Sequence, residues 1–194
     1  MDEETEYRIK RVQAGEIQDY VYIVQKYQTQ IFMYCWRLIS NKQEAEDAVQ
    51  DVLVKAYEKI NLYKSEVNFS SWLYKMAYHH CINIIRRKKV QQKWKFRLMA
   101  QDQPSNSPAE MLERQLFNEP LSRALGKLNV VERNLLVLRV FEEKSFAEIG
   151  EILNKSPDAV KKKFARTKIK LKKWMSPKEE ELCPNYNVLL KTKI

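Results

Sequence analysis

Along the first hundred residues, apolar side chains recur every three or four positions. Over residues 17–40, Ile17, Val21, Val24, Tyr27, Ile31, Tyr34, Cys35 and Leu38 form one amphipathic stripe. Residues 44–60 repeat the pattern through Ala45, Ala48, Val49, Val52, Ala56 and Ile60. That spacing predicts two helices packed on a shared core. The far face of the second holds Asp47, Gln50, Asp51, Val54 and Glu58, with Leu53 and Tyr57 at its edge. A solvated helix also carries acids, but acids mixed with exposed valine and aromatic groups read as the rim of an interface. Residues 61–70 are too polar and irregular for a helix. Ser70 or Ser71 is expected to cap the next one, from about Trp72 to Lys89 or beyond, with Leu73, Met76 and Ile85 inside.

Periodicity then stops. Residues 99–120 contain Asp102, Pro104, Ser105, Asn106, Ser107 and Pro108 in a polar, proline-punctuated run that reads as a linker leading into a short helix. Beyond it, a helix is predicted over Glu132–Glu142, followed by two more over Ser145–Leu153 and Ser156–Trp174. The short break between the last two is helix-turn-helix spacing. Ser156, Pro157 and Asp158 supply an N-cap, a helix-compatible proline and an acid suited to the helix dipole. On a helical wheel Phe164, Thr167, Leu171 and Met175 fall within about 60° of Val160, and all five should face the core. Lys162, Ala165, Arg166, Ile169 and Lys173 then point outward. The fold class expected is all-α: two helical domains, 1–98 and 119–176, joined by a flexible acidic linker over 99–118, with a tail over 177–194.

Composition narrows this further. Only Gly15, Gly126 and Gly150 occur in 194 residues, where an average of about 7% would give several times more. Glycine-rich phosphate loops and dinucleotide fingerprints are thereby excluded. Cys35, Cys81 and Cys183 are odd in number and unpaired in spacing, so neither a disulfide framework nor a four-ligand zinc site is expected. No apolar run reaches ~18 residues, and the first residues are acidic where a signal peptide would be basic, which leads us to expect a cytoplasmic protein. The net charge of +10 is concentrated. Residues 61–98 hold nine basic groups and one acid, and residues 155–173 hold the same. Two short cationic segments, each beside acidic or neutral chain, suggest two anion-binding surfaces.

On the first of these segments, aromatics, amides and cations interleave: Trp72, Lys75, Tyr78, His79, Asn83, Arg86 and Arg87. Such a mixture suits single-stranded nucleic acid, whose bases stack on rings while cations follow the phosphates. On the second, a recognition helix would place its outward N-terminal residues against base edges in the major groove. His79, His80 and Cys81 are consecutive, so a helix turns them about 100° apart and they cannot grip one metal ion. No nucleophile–base–acid set stands out, so no enzyme, cofactor or small-molecule substrate is expected.

Three strings together, EAEDAVQDVLVKAY (44–57), FSSWLYKMAYHHCINIIRRKK (69–89) and SFAEIGEILNKSPDAVKKKFARTKIKLKK (145–173), resemble the extracytoplasmic-function (ECF) sigma factors of bacterial transcription. The resemblance implies partners and sites. Asp47, Gln50, Asp51 and Val54 would dock on the clamp helices of core RNA polymerase. The loop with Asn61, Tyr63, Asn68 and Phe69, and the helix with Trp72, Lys75, Tyr78, His79, Asn83, Arg86 and Arg87, would capture the melted non-template strand of the minus-ten element. Ser156, Lys161, Lys162, Lys163, Ala165 and Arg166 would read the minus-thirty-five duplex, and an anti-sigma factor would regulate the chain. His79 and Asn83 stand where the family usually has Asn and Asp, Asp158-Ala159 where it has Gly-Thr, and Lys162 where Ser is common. Two other readings use the same residues: a polymerase-independent helix-turn-helix regulator, or a nonspecific basic nucleic-acid binder.

Overall fold

A computed structural model of the chain describes residues 2–98 and 124–174, with side chains described as far as Gln91 in the first stretch. The linker, the tail, Met175 and Cys183 lie outside the described residues. Among the described residues every regular element is helical. The order is α1 (Glu3–Gln13), a 3-10 turn (Ile17–Asp19), α2 (Tyr20–Ile39), α3 (Lys42–Glu58), a second 3-10 turn (Ile60–Leu62) and α4 (Phe69–Leu98). After a helical turn at 124–126 come α5 (Val130–Leu136), running on through a π-turn (Val137–Phe141), then α6 (Phe146–Leu153) and α7 (Pro157–Trp174).

Helix α3 packs against both α2 and α4. Three of its five buried residues are small: Ala45, Ala48 and Ala56 are fully buried beside Val52 and Leu53, which lets neighbouring backbones approach. Across from them Ile23, Ile31, Tyr34 and Cys35 of α2 and Leu73, Ala77 and Cys81 of α4 fill the core. Each fully buried aliphatic side chain here contributes about 1.5–3 kcal/mol. Asn41 caps α3 by accepting the Glu44 N–H at 3.0 Å. The α4 cap differs from expectation. Asn68 Oδ1 accepts the Ser70 N–H at 2.8 Å, while Ser71 is buried and Ser70 Oγ accepts from Lys144 Nζ at 2.8 Å. Asn68 takes the role because the helix starts at Phe69, three residues earlier than the apolar pattern suggests. Leu73 is buried as expected, whereas Met76 and Ile85 are only partly so.

The apolar pattern of α2 also divides. Ile23, Tyr27, Ile31, Tyr34 and Leu38 are buried, but Ile17 and Val21 are 61% and 56% exposed. The single stripe expected from spacing is two stripes about 90° apart on the wheel.

In the C-terminal part, capping boxes start α5 (Asn129 with Glu132) and α6 (Ser145 with Glu148). Asn154 ends α6 in the left-handed region, φ 54°. Gly150 is required there: a Cβ would meet the Lys155 carbonyl oxygen at 2.6 Å. Val160, Phe164, Thr167 and Leu171 are buried on α7, and Thr167 satisfies its hydroxyl on the Lys163 carbonyl at 2.9 Å.

The two parts pack together, chiefly α4 against α6. Polar bonds hold the junction. Tyr34 donates to Asn134 at 2.6 Å, and Glu142 accepts from Arg37 at 2.9 Å and from Tyr74 at 2.6 Å. Burial pushes the Glu142 carboxyl above its ordinary value, although Tyr74 and Arg37 pull the other way.

Candidate nucleic-acid interface

Three surfaces emerge, each on a different face. The first is a groove of about 750 Å³ between α2 and α3. Ile17, Val21 and Val24 form one wall, and Val49, Leu53 and Val54 the other, with Tyr20 and Tyr57 between. Tyr20 donates to the Leu53 carbonyl at 2.5 Å and its ring lies 5.1 Å from Tyr57. Burial holds its phenol at about 12, so it stays a neutral donor. Asp47, Gln50, Asp51 and Val54 are all exposed; Gln50 and Val54 line this groove with Glu46, whereas Asp47 and Asp51 lie outside its lining. His80 of α4 stands 3.6 Å from the Asp51 carboxylate, with its imidazole held below the ordinary value by burial and then by Lys55. Sequence spacing hides the groove, because Val21 is in helical phase with apolar residues that are buried.

The second surface is α4 with the loop before it. Trp72, Lys75, His79, Asn83 and Arg86 fall within about 80° on the wheel and make one continuous face. His79, Asn83, Arg86 and Arg87 are exposed, Trp72 and Lys75 half-buried. Three expected contacts are corrected. Tyr63 and Phe69 are 5% and 2% exposed, their rings 5.1 Å apart, edge to face. They build the floor under the loop and cannot offer a ring face to a base. Tyr78 sits about 120° round from Trp72. It lines a cleft of about 260 Å³ shared with Val131, Leu135, Lys155 and Lys163 of the C-terminal part. Asn61 is exposed at the rim beside Leu62, which is 73% exposed and was not singled out in sequence. Asn68 is half-buried and committed to its cap.

The third surface is the outer face of α7. Lys162, Lys163 and Arg166 line a cleft of about 480 Å³ with Ala159, Lys170 and Glu132. Glu132 pairs with Lys170 at 2.5 Å and so ties the cationic helix back to α5. Ser156 caps the helix through the Ala159 N–H at 3.3 Å. Lys161 and Ala165 are half-buried at the edge of this face.

Among the described residues, no three His, Cys, Asp or Glu side chains stand together as a metal site, and no helix is long and apolar enough to cross a membrane.

Comparison with known proteins agrees with this layout. The family model for Sigma-70 region 2 matches residues 23–90, and that for Sigma-70, region 4 matches residues 118–171. The ECF RNA polymerase sigma factor SigW of Bacillus subtilis is 30% identical over 86% of this chain and 94% of its own. The solved structure of CnrH with the cytosolic domain of CnrY superposes with a TM-score of 0.66 at 18% identity, covering 86% of this chain and 94% of that one. The sigma factor RpoE of Bartonella quintana, bound to the anti-sigma factor NepR, gives 0.64 at 18% identity, over 81% and 96%.

Proposed function

The chain belongs to the extracytoplasmic-function group of the sigma-70 family, and from that premise we propose how its three surfaces divide the work of a sigma factor. It binds core RNA polymerase and directs it to promoters. The α2–α3 groove, apolar in its walls, docks on polymerase through Gln50 and Val54 together with Asp47 and Asp51 on the exposed surface of α3, and Val21 adds to the apolar wall. The α4 face holds the melted minus-ten strand: His79 and Asn83 meet bases and Arg86 and Arg87 the phosphates. The outer face of α7 reads the minus-thirty-five duplex, with Lys162 and Arg166 at base edges and Lys163 and Lys170 on the backbone.

The observation that supports this division is chemical. One apolar-acidic groove and two cationic faces, each built on a separate helix or helix pair, match one protein partner and two nucleic-acid contacts. Linking weak contacts through one chain raises their combined affinity by effective concentration. The boundaries that follow are a polymerase- and minus-ten-binding domain over 1–98 and a minus-thirty-five-binding domain over 119–176.

The closed junction bears on the order of events. Ser70 and Tyr74 are engaged by Lys144 and Glu142, and Tyr78 faces the C-terminal part. We read this as a resting arrangement that separates when both promoter elements are bound. Control by an anti-sigma factor, the kind of partner bound to the Bartonella relative, would act in the cytoplasm by covering the α2–α3 groove. The chain contributes no chemistry of its own; phosphodiester formation belongs to polymerase.

Mixing the purified chain with core polymerase, followed by runoff transcription on genomic fragments, tests this. Comigration and a promoter-dependent transcript are expected. If the chain binds duplex DNA specifically but neither comigrates nor supports a transcript, it is a polymerase-independent regulator.

A further inference from the structure

The first helix lies outside the family-model matches, the earlier of which begins at residue 23. Yet two side chains of α1 hold the 60–67 loop at four points. Gln13 Nε2 donates to the carbonyls of Ile60 at 2.8 Å and Tyr63 at 3.2 Å. The Glu6 carboxylate accepts from the Tyr63 hydroxyl on one oxygen and from Ser65 Oγ, at 2.8 Å, on the other. The Tyr63 hydroxyl also lies 2.8 Å from the Val67 carbonyl, so its one proton is shared between the far end of the loop and the Glu6 carboxylate of α1. Burial, and then the hydrogen bond with Glu6, keep that phenol protonated.

Helix α1 is itself fixed. Ile9, Val12 and Thr5 are buried against the core. Arg8 and Arg11 both bond Asp19, at 2.5 Å each, at the entrance to α2. The loop thus has a rigid floor of Tyr63, Phe69 and Trp72 rings and a rigid wall of α1. Asn61, Leu62, Lys64, Glu66 and Val67 are exposed, with Asn61 and Leu62 together at the tip that begins the loop.

We propose that Glu6 and Gln13 are positioning residues for minus-ten recognition: without touching DNA, they hold the 60–67 loop in the shape that presents Asn61 and Leu62 to the melted strand. This rests on the reading that the loop meets the minus-ten element. The loop's own backbone supplies only isolated turn hydrogen bonds, so carbonyls that α1 releases can turn to water and the loop's conformers multiply. A loose loop discriminates bases less well even where total binding survives.

The experiment uses full-length chain assembled with core polymerase on a template library randomised across the minus-ten element, with the minus-thirty-five element varied separately. Glu6→Gln and Gln13→Leu should reduce the spread of initiation rates at one or two minus-ten positions by about tenfold, roughly one lost charged or buried hydrogen bond. Polymerase affinity and minus-thirty-five dependence should not move. Asn61→Ala and Leu62→Ala should alter preference at the same positions. If the Asn61 and Leu62 variants change minus-ten preference but the Glu6 and Gln13 variants leave it intact, the positioning role is wrong. If all four are silent at the minus-ten element, the loop does not meet DNA and both readings fall. A uniform loss over every template, tracking a lower melting temperature, makes α1 only a stabiliser and also overturns the proposal.

Discussion

Tyr34 of α2 and Asn134 of α5, 100 residues apart in the chain, meet through a buried hydrogen bond of 2.6 Å that joins the two parts of the molecule. Asn134 is fully buried and its Nδ2 has no partner, so this contact fixes register at some cost in stability. Tyr34→Phe strips the remaining partner from the Asn134 amide and should destabilise the chain by about 1–3 kcal/mol. Tyr34→Phe combined with Asn134→Leu should recover most of that loss, because neither side then leaves a polar group stranded. Denaturant unfolding of the four members of the cycle measures both; additive losses would show that the pair does not interact.

Asp19 supplies a pH dependence. The hydrogen bonds from Arg8 and then Arg11 hold its carboxyl below the ordinary value of 3.8. Because the folded value is depressed, the stability it contributes is complete above the unfolded value and is lost as the pH falls through the folded one. Acid unfolding below about pH 4 should therefore flatten in Asp19→Asn. Carbon-13 titration of the Asp19 carboxyl should show a midpoint below 3.8; a midpoint at or above it would break the link between α1 and this window.

The groove predicts a charge effect with little change in fold. Val21 is exposed in the apolar channel, and Asp51 is exposed on α3 outside it, on the side towards His80 of α4. Asp51→Arg and Val21→Glu should each weaken core polymerase binding about tenfold or more, while circular dichroism and melting stay near those of the parent. Unchanged affinity in Val21→Glu would confine docking to the α3 rim.

On α7 the expected losses differ by residue. Arg166→Ala and Lys162→Ala should cost about 1–3 kcal/mol on the cognate duplex and relax specificity at one position each. Lys163→Ala should weaken all duplexes alike and lower the salt dependence by about one charge. Competition binding of holoenzyme against substituted duplexes separates the two patterns. Equal losses on every sequence for all three variants would mark the helix as a backbone binder only.

Much of this was legible in sequence because helices report their own phase. Val160, Phe164, Thr167 and Leu171 were assigned to the core from spacing alone, and all four are buried. The turn before them could be placed from Ser156 and Pro157. What spacing could not resolve was α2, where two apolar stripes overlap. The pattern says that Val21 is apolar and in helical phase, but only the position of α3 decides that it faces a groove.

The aromatic residues teach the same point at the loop. Tyr63, Phe69 and Trp72 are chemically able to stack on bases, and their sequence positions suit it. Packing decides otherwise for Tyr63 and Phe69, since both rings are buried while Trp72, stacked against them, keeps an exposed part. Chemistry of a side chain is local, whereas its availability depends on every neighbour.

Sequence by itself determined that this chain is helical, glycine-poor, split by a polar linker and cationic in two places, because propensity, period and charge are properties of short segments. Tertiary structure alone decided which apolar residues remain open to a partner, how α1 holds a loop some fifty residues away, and how Glu142 binds Arg37 and Tyr74 across the junction. Those relations join residues far apart in the chain, and no local pattern encodes a distance between elements until the core has packed them.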